Sequence, residues 1–64
     1  MTTNCLINEE EVTIEWEITN DIIDTHDHEV HYAATGIDSL GRDVLGTAIY
    51  IDGEFEEITD IELS

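Results

Sequence analysis

The chain has no lysine, no proline and one cysteine, and its only strongly basic residue is Arg42. Each scarcity excludes something. A single Cys5 leaves no intramolecular disulfide to staple a small fold, and a lone thiol fits a reducing compartment. One arginine cannot neutralise a phosphate backbone, so direct nucleic-acid binding is ruled out by sign. The first residues carry neither a basic n-region nor an apolar h-region, so no signal peptide is expected. No apolar run approaches the ~18 residues of a membrane-spanning helix. These features together lead us to expect a cytoplasmic protein with no membrane partner. Glycine is limited to four residues, and all four, Gly36, Gly41, Gly46 and Gly53, fall in the second half.

What is present is acid. Seventeen Asp and Glu residues give 64 residues a net charge of −16. High charge with low hydrophobicity would imply disorder. Here 41% of residues are apolar, many are β-branched, and the pattern is periodic. We therefore expect one small folded domain, residues 1–64, that tolerates strong self-repulsion. A folded chain of this mass exposes on the order of 4,000 Å², or one net charge per ~260 Å². Duplex DNA, taken as a ~20 Å cylinder, carries one per ~100 Å². Gathering the carboxylates on one face would close that gap.

The densest apolar run is Val44–Ile51, followed by Asp52-Gly53 and an acidic closing segment. Val12–Thr19 alternates cleanly, with Val12, Ile14, Trp16 and Ile18 on one face and Thr13, Glu15, Glu17 and Thr19 on the other, which predicts a half-buried strand. Trp16 is the expected core anchor. Glu29–Asp38 and Asp43–Ile51 predict an antiparallel hairpin across Ser39–Arg42, with Gly41 as the left-handed residue. The small residues Ala33, Ala34, Gly36, Gly46, Thr47 and Ala48 would let another element approach closely. Asp52-Gly53 is a two-residue type I′ hairpin signal. After it, Phe55, Ile58 and Ile61 suit a helix while Ile61 and Leu63 suit a strand. The turn favours a strand with a bulge near Glu56-Glu57.

Cys5-Leu6-Ile7 fits a short edge strand, and Glu9–Glu11 a charged turn. Asn20-Asp21 resembles a helix N-cap, leaving room for one helical turn near residues 20–26. The expected fold class is mainly β, or small α+β with that turn. It is a twisted, meander-like antiparallel sheet of about four strands, either curled around Trp16 or packed on a partner.

His26, His28 and His31, with Asp21 and Asp24 nearby, form the only metal-like cluster. On a strand His26 and His28 would share a face and His31 would point away, so a polar loop is the favoured reading, with no metal and no cofactor expected. Asp52-Gly53-Glu54 does not supply a calcium loop. No Ser-His or Cys-His spacing and no phosphate loop stands out, and a chain this short has little room for a water-excluding pocket. An enzyme is not expected.

The remaining chemistry is the charge itself. Alternate side chains on a strand repeat at about 6.7 Å and neighbouring strands lie ~4.8 Å apart. Glu15-Glu17, Glu54-Glu56 and Asp60-Glu62 would form such repeats, and carboxylates accept bidentate bonds from arginine much as phosphates do. In size, charge and lack of catalytic motifs, the whole chain resembles the small acidic inhibitors encoded by bacteriophages and mobile elements. These include the uracil-DNA glycosylase inhibitor, anti-restriction DNA mimics and anti-CRISPR proteins. Within that class it looks most like a β-rich type I anti-CRISPR protein. The resemblance implies a DNA mimic that occupies the basic DNA-binding or PAM-recognition surface of a CRISPR effector of the Cascade type, in the host cytoplasm. The residues it implies as partner-binding are Glu15, Glu17, Asp52, Glu54, Glu56, Glu57, Asp60 and Glu62. The competing expectation is an acid-rich module of the halophile type, or a phage accessory structural protein, without inhibitory activity. Either would be a monomer or a homodimer. The two acidic segments make one surface only if residues 12–19 and 54–62 lie on one side of the sheet.

Overall fold

A computed structural model describes residues 1–64, and its strands are β1 (Thr2–Ile7), β2 (Glu10–His26), β3 (Glu29–Asp38), β4 (Asp43–Ile51) and β5 (Glu54–Leu63). They form one antiparallel sheet in the order β1-β2-β3-β4-β5, a simple meander with no helix. The fold is mainly β as expected, with one strand more than four because the Cys5-Leu6-Ile7 segment does pair along β2.

The expected helical turn near residues 20–26 does not form, because β2 continues for 17 residues to His26. Pairing with β3 satisfies the backbone there instead. The adjacent isoleucines Ile22 and Ile23 break the two-residue alternation, and bulges absorb the break. Ile18 faces Ala34 and Ile22 faces Tyr32, so residues 19–21 crowd opposite Ala33 alone; Ile23 is a further extra residue before Asp24 meets His31. Thr19 holds the first bulge, donating from Oγ1 to the Ala33 carbonyl at 2.7 Å and accepting the Asp21 N–H at 3.2 Å.

Two turns have both central residues at positive φ, the signature of type I′. Asp52 and Gly53 (φ 52° and 80°) behave as expected. The other is Asn8-Glu9 (φ 51° and 68°), not the Glu9–Glu11 run: Glu10 and Glu11 already pair with Ile7 and Leu6. Asn enters the left-handed region more readily than most residues, so the turn centres one residue early. The bulge expected near Glu56-Glu57 is present, with Glu56 the extra residue between the Ile49–Glu57 and Tyr50–Phe55 pairs. A second bulge places Asp60 and Ile61 opposite Gly46, and Asp60 takes a φ of 53°.

The sheet curls over its inner face. Ile7, Val12, Ile14, Trp16, Ala34, Val44 and Ala48 form the core there. Trp16 lies across the two glycines that face it: a Cβ on Gly36 would fall 3.0 Å from the ring's Cε3, and one on Gly46 2.9 Å from Cη2. The small residues of β3 and β4 thus make room for a side chain of the same sheet. The indole N–H donates to Thr3 Oγ1 at 2.8 Å, and the Trp16 N–H to the Met1 carbonyl at 2.7 Å. The curl brings the edge strands β1 and β5 within 8 Å of each other between Cα atoms. The result is a rod of 36 × 18 × 17 Å.

Arg42 serves this scaffold. Asp38 is buried at the end of β3 and closes the β3–β4 turn. Its Oδ1 accepts the N–H groups of Leu40 (3.0 Å) and Arg42 (2.8 Å), and its Oδ2 accepts Arg42 Nε at 2.7 Å. Gly41, at φ 80°, supplies the left-handed step. Arg42 Nη1 also lies 3.7 Å from Glu10, which ties this turn to the start of β2. Burial pushes the Asp38 carboxyl up, but the Arg42 N–H, the Arg42 side chain and the Leu40 N–H outweigh it and hold it below the ordinary carboxylate range.

Candidate partner-binding surface

Strand parity assigns the remaining acids. With Val12, Ile14 and Trp16 turned inward, Glu11, Thr13, Glu15 and Glu17 face outward. The register carries this face across the sheet. One row reads Glu15, Ile37 and Asp43 across β2, β3 and β4, and the next reads Glu17, Thr35, Leu45 and Glu62 across β2 to β5. An uncharged row of Ala33, Thr47 and Thr59 follows. Two further rows read Asp24, His31, Ile49 and Glu57, then His26, Glu29, Ile51 and Glu54.

Most of these acids lie on the flanks, on β2 and β5, while Glu29 on β3 and Asp43 on β4 stand between them beside the apolar Ile37, Leu45, Ile49 and Ile51. Three strand spacings separate the flanks, about 14 Å along the sheet. Both flanks belong to the outer face of the one sheet, so residues 12–19 and 54–62 lie on the same side of it.

Of the acids expected to bind a partner, the register brings Glu15, Glu17, Glu54, Glu57 and Glu62 into these rows. It does not bring in Asp52, Glu56 or Asp60. Asp52 lies in the β4–β5 turn, 3.4 Å from His28 Nδ1. Glu56 and Asp60 are bulge residues, outside the alternation. All eight are exposed. Three acids that sequence reasoning left out, Asp24, Glu29 and Asp43, do join the rows. Asp43 shares parity with Leu45, and Glu29 with His31, so both were accessible to the same alternation argument. Asp24 was hidden behind the bulges of β2.

The histidines are dispersed. His26 ends β2, His28 lies in the turn and His31 sits on β3, so the expected polar loop shrinks to the Asp27-His28 turn, with His26 and His31 on its flanking strands. His31 Nε2 lies 2.8 Å from Glu29 Oε2. No group of three or more His, Cys, Asp or Glu side chains converges to hold a metal ion.

At the Glu15 end the outer face dips into a groove of about 590 Å³. Glu15 and Glu17 stand on one side of it and Asp43 on the other, above Thr35, Gly36, Ile37 and Leu45. A smaller groove lies beyond the core on the inner face, beside Ile18, Val30, Tyr32 and Tyr50, where Tyr32, Tyr50 and Phe55 pack edge to face.

The fold and surface together define a class: a small all-β antiparallel meander whose outer face carries acids on both flanks, with exposed apolar residues between them. Comparison with protein-family models, with curated proteins and with solved structures finds no match for the chain.

Proposed function

We propose that the protein is an inhibitor that acts as an acidic mimic of DNA. It occupies the basic DNA-binding or PAM-recognition surface of a host defence complex, with a CRISPR effector of the Cascade type as the expected target. The observation that carries this reading is the match between shape and charge. A DNA duplex 36 Å long, at one charge per ~1.7 Å of axis, carries about 21 phosphates on a cylinder ~20 Å wide. This rod is 36 Å long and 18 × 17 Å across and carries 17 carboxylates. Averaged over area the likeness is weaker: 4411 Å² of surface divided by 16 net charges is about 280 Å² per charge. Measured along the axis, the feature a DNA-binding cleft follows, the net charge of −16 reaches about three-quarters of the duplex value. Arg42, the only strongly basic residue, is engaged by Asp38 and Glu10 and leaves the exterior field undivided.

The action is competitive and involves no catalysis. The acids of the outer face steer association with a basic cleft at low salt and pair with its arginines and lysines on contact. The test is displacement of duplex DNA from a Cascade-type complex. At about 1 kcal/mol per lost charge pair, reversing Glu54, Glu57 and Glu62 to lysine should weaken inhibition roughly 100-fold, while the thermal transition stays cooperative. A triple variant that displaces DNA as well as the unaltered chain would refute the assignment of this flank.

A further inference from the structure

The outer face is not uniformly acidic. Ile37, Leu45 and Ile51 are 56%, 42% and 37% exposed along the band between the acid rows. A phosphate backbone has no counterpart to this strip, and electrostatic imitation of DNA does not require it. At the Glu15 end the strip becomes the groove of about 590 Å³. Charge excludes a second copy of the chain as its occupant, because stacking two such faces would press like rows of carboxylates together.

We propose that this groove binds arginine side chains of a partner protein and selects them over lysine. The inference rests on the DNA-mimic reading only for the source of the arginines, a DNA-binding protein. Glu15, Ile37 and Asp43 are register partners across β2, β3 and β4, so the two acids flank Ile37 at two strand spacings, about 10 Å between Cα atoms. A guanidinium lying over Ile37 meets a carboxylate on either side. Its planar fork donates to both, and its aliphatic stem packs on Ile37 and Leu45. One row along, Glu17 adds a third carboxylate to the groove, beside Thr35 and Leu45. A lysine ammonium is a compact, strongly hydrated point charge. It loses more by lying on an apolar floor, and it lacks a rigid fork to engage both walls.

The test uses two 12-residue peptides, one alternating alanine with arginine and one alternating alanine with lysine. They are equal in length and charge, and binding is followed by fluorescence anisotropy at 150 mM salt. The arginine peptide should bind at least ten-fold more tightly and should shift the backbone amide resonances of Thr35–Ile37 and Asp43–Leu45. The double variant Ile37→Thr, Leu45→Thr keeps strand-compatible, exposed side chains. It should lower arginine-peptide affinity to the lysine level, leave lysine-peptide affinity unchanged and melt cooperatively. Either single substitution should show part of the same loss. Equal affinities for the two peptides, binding of neither, or an arginine preference that survives in the double variant would each overturn the proposal. Displacement of duplex from a Cascade-type complex is measured on the same preparation. Retained displacement without arginine preference refutes the groove alone; arginine preference without displacement refutes the mimic alone.

Discussion

Replacing Gly36 with alanine tests the packing on which the acid rows depend. The added methyl would sit 2.7 Å from Ile14 Cγ2, 2.9 Å from the Glu15 carbonyl oxygen and 3.0 Å from Trp16 Cε3. Carbon atoms in comfortable contact are about 3.5–4.0 Å apart, so close to an ångström must be found. The Glu15 carbonyl belongs to the backbone of the paired strand and has little freedom to yield. Overpacking of this kind costs about 1–3 kcal/mol. The stiffer unfolded chain returns about 0.4–1 kcal/mol, leaving a net loss of about 1–2 kcal/mol. A chain of this size has roughly 3–10 kcal/mol in all, and each kcal/mol moves Tm by about 4–8 °C. The melt should therefore fall by ~5–15 °C. Gly46→Ala is the control. The atoms nearest its methyl are all side-chain atoms, Trp16 Cη2 at 2.9 Å and Cζ3 at 3.2 Å and Ile58 Cγ2 at 3.0 Å; no backbone has to yield and Ile58 is half-buried, so the loss should be smaller than for Gly36→Ala. Trp16 is the sole tryptophan and reports both transitions by fluorescence. A Gly36→Ala protein that melts at or above the parent, or below which Gly46→Ala falls, would refute the Trp16–Gly36 pairing. The same register sets Glu17 opposite Thr35, so the acid rows would fall with it.

Three further outcomes follow from the same structure. Asp38→Asn should lower stability near neutral pH. Because the folded Asp38 carboxyl lies below its ordinary value of 3.8, its stabilisation is present above that value and disappears as pH falls through the lower folded one. The gap between parent and variant midpoints should hold above about pH 5 and narrow in more acid solution, and a gap independent of pH would count against the Asp38–Arg42 turn. Asp60→Gly relieves a non-glycine residue at φ 53°, a conformation costing roughly 1–2 kcal/mol. It should raise Tm by a few degrees, and a lowered Tm would argue against the bulge. Thermal unfolding in dilute buffer should be cooperative, and Tm should rise with added NaCl as the −16 charge is screened. A chain unfolded in dilute buffer and folded only at molar salt would favour the halophile-type reading.

Local features of the sheet were readable in the sequence where the chemistry was local. Val12–Thr19 alternates without a slip, Asp52-Gly53 carries its turn type in two residues, and the broken alternation at Glu56-Glu57 marks a bulge. Asn20-Asp21 misled because a cap signal is equally a tolerant bulge sequence, and only pairing with β3, ten or more residues away, decides between them. The curl was beyond local reading for the same reason. It depends on Trp16 lying over Gly36 and Gly46, contacts between residues 20 and 30 positions apart. The candidate surface was half legible. Parity identified Glu15, Glu17 and Glu62, but parity cannot be carried through a bulge, so Asp24 escaped while Glu56 and Asp60 were wrongly expected to fall in the rows.

The irregularities of β2 and β5 also bear on solubility. An open sheet exposes strand edges that invite another chain to add on, and proteins commonly guard them with proline or lysine. This chain has neither. Its longest edges are interrupted, β2 beyond Ile18 and β5 at Glu56 and Asp60, so neither offers a flat template for fibril growth. That protection is geometric as well as electrostatic. Neutralising a few acids to map a binding surface leaves the bulges in place, so such variants keep the geometric guard against edge-to-edge aggregation.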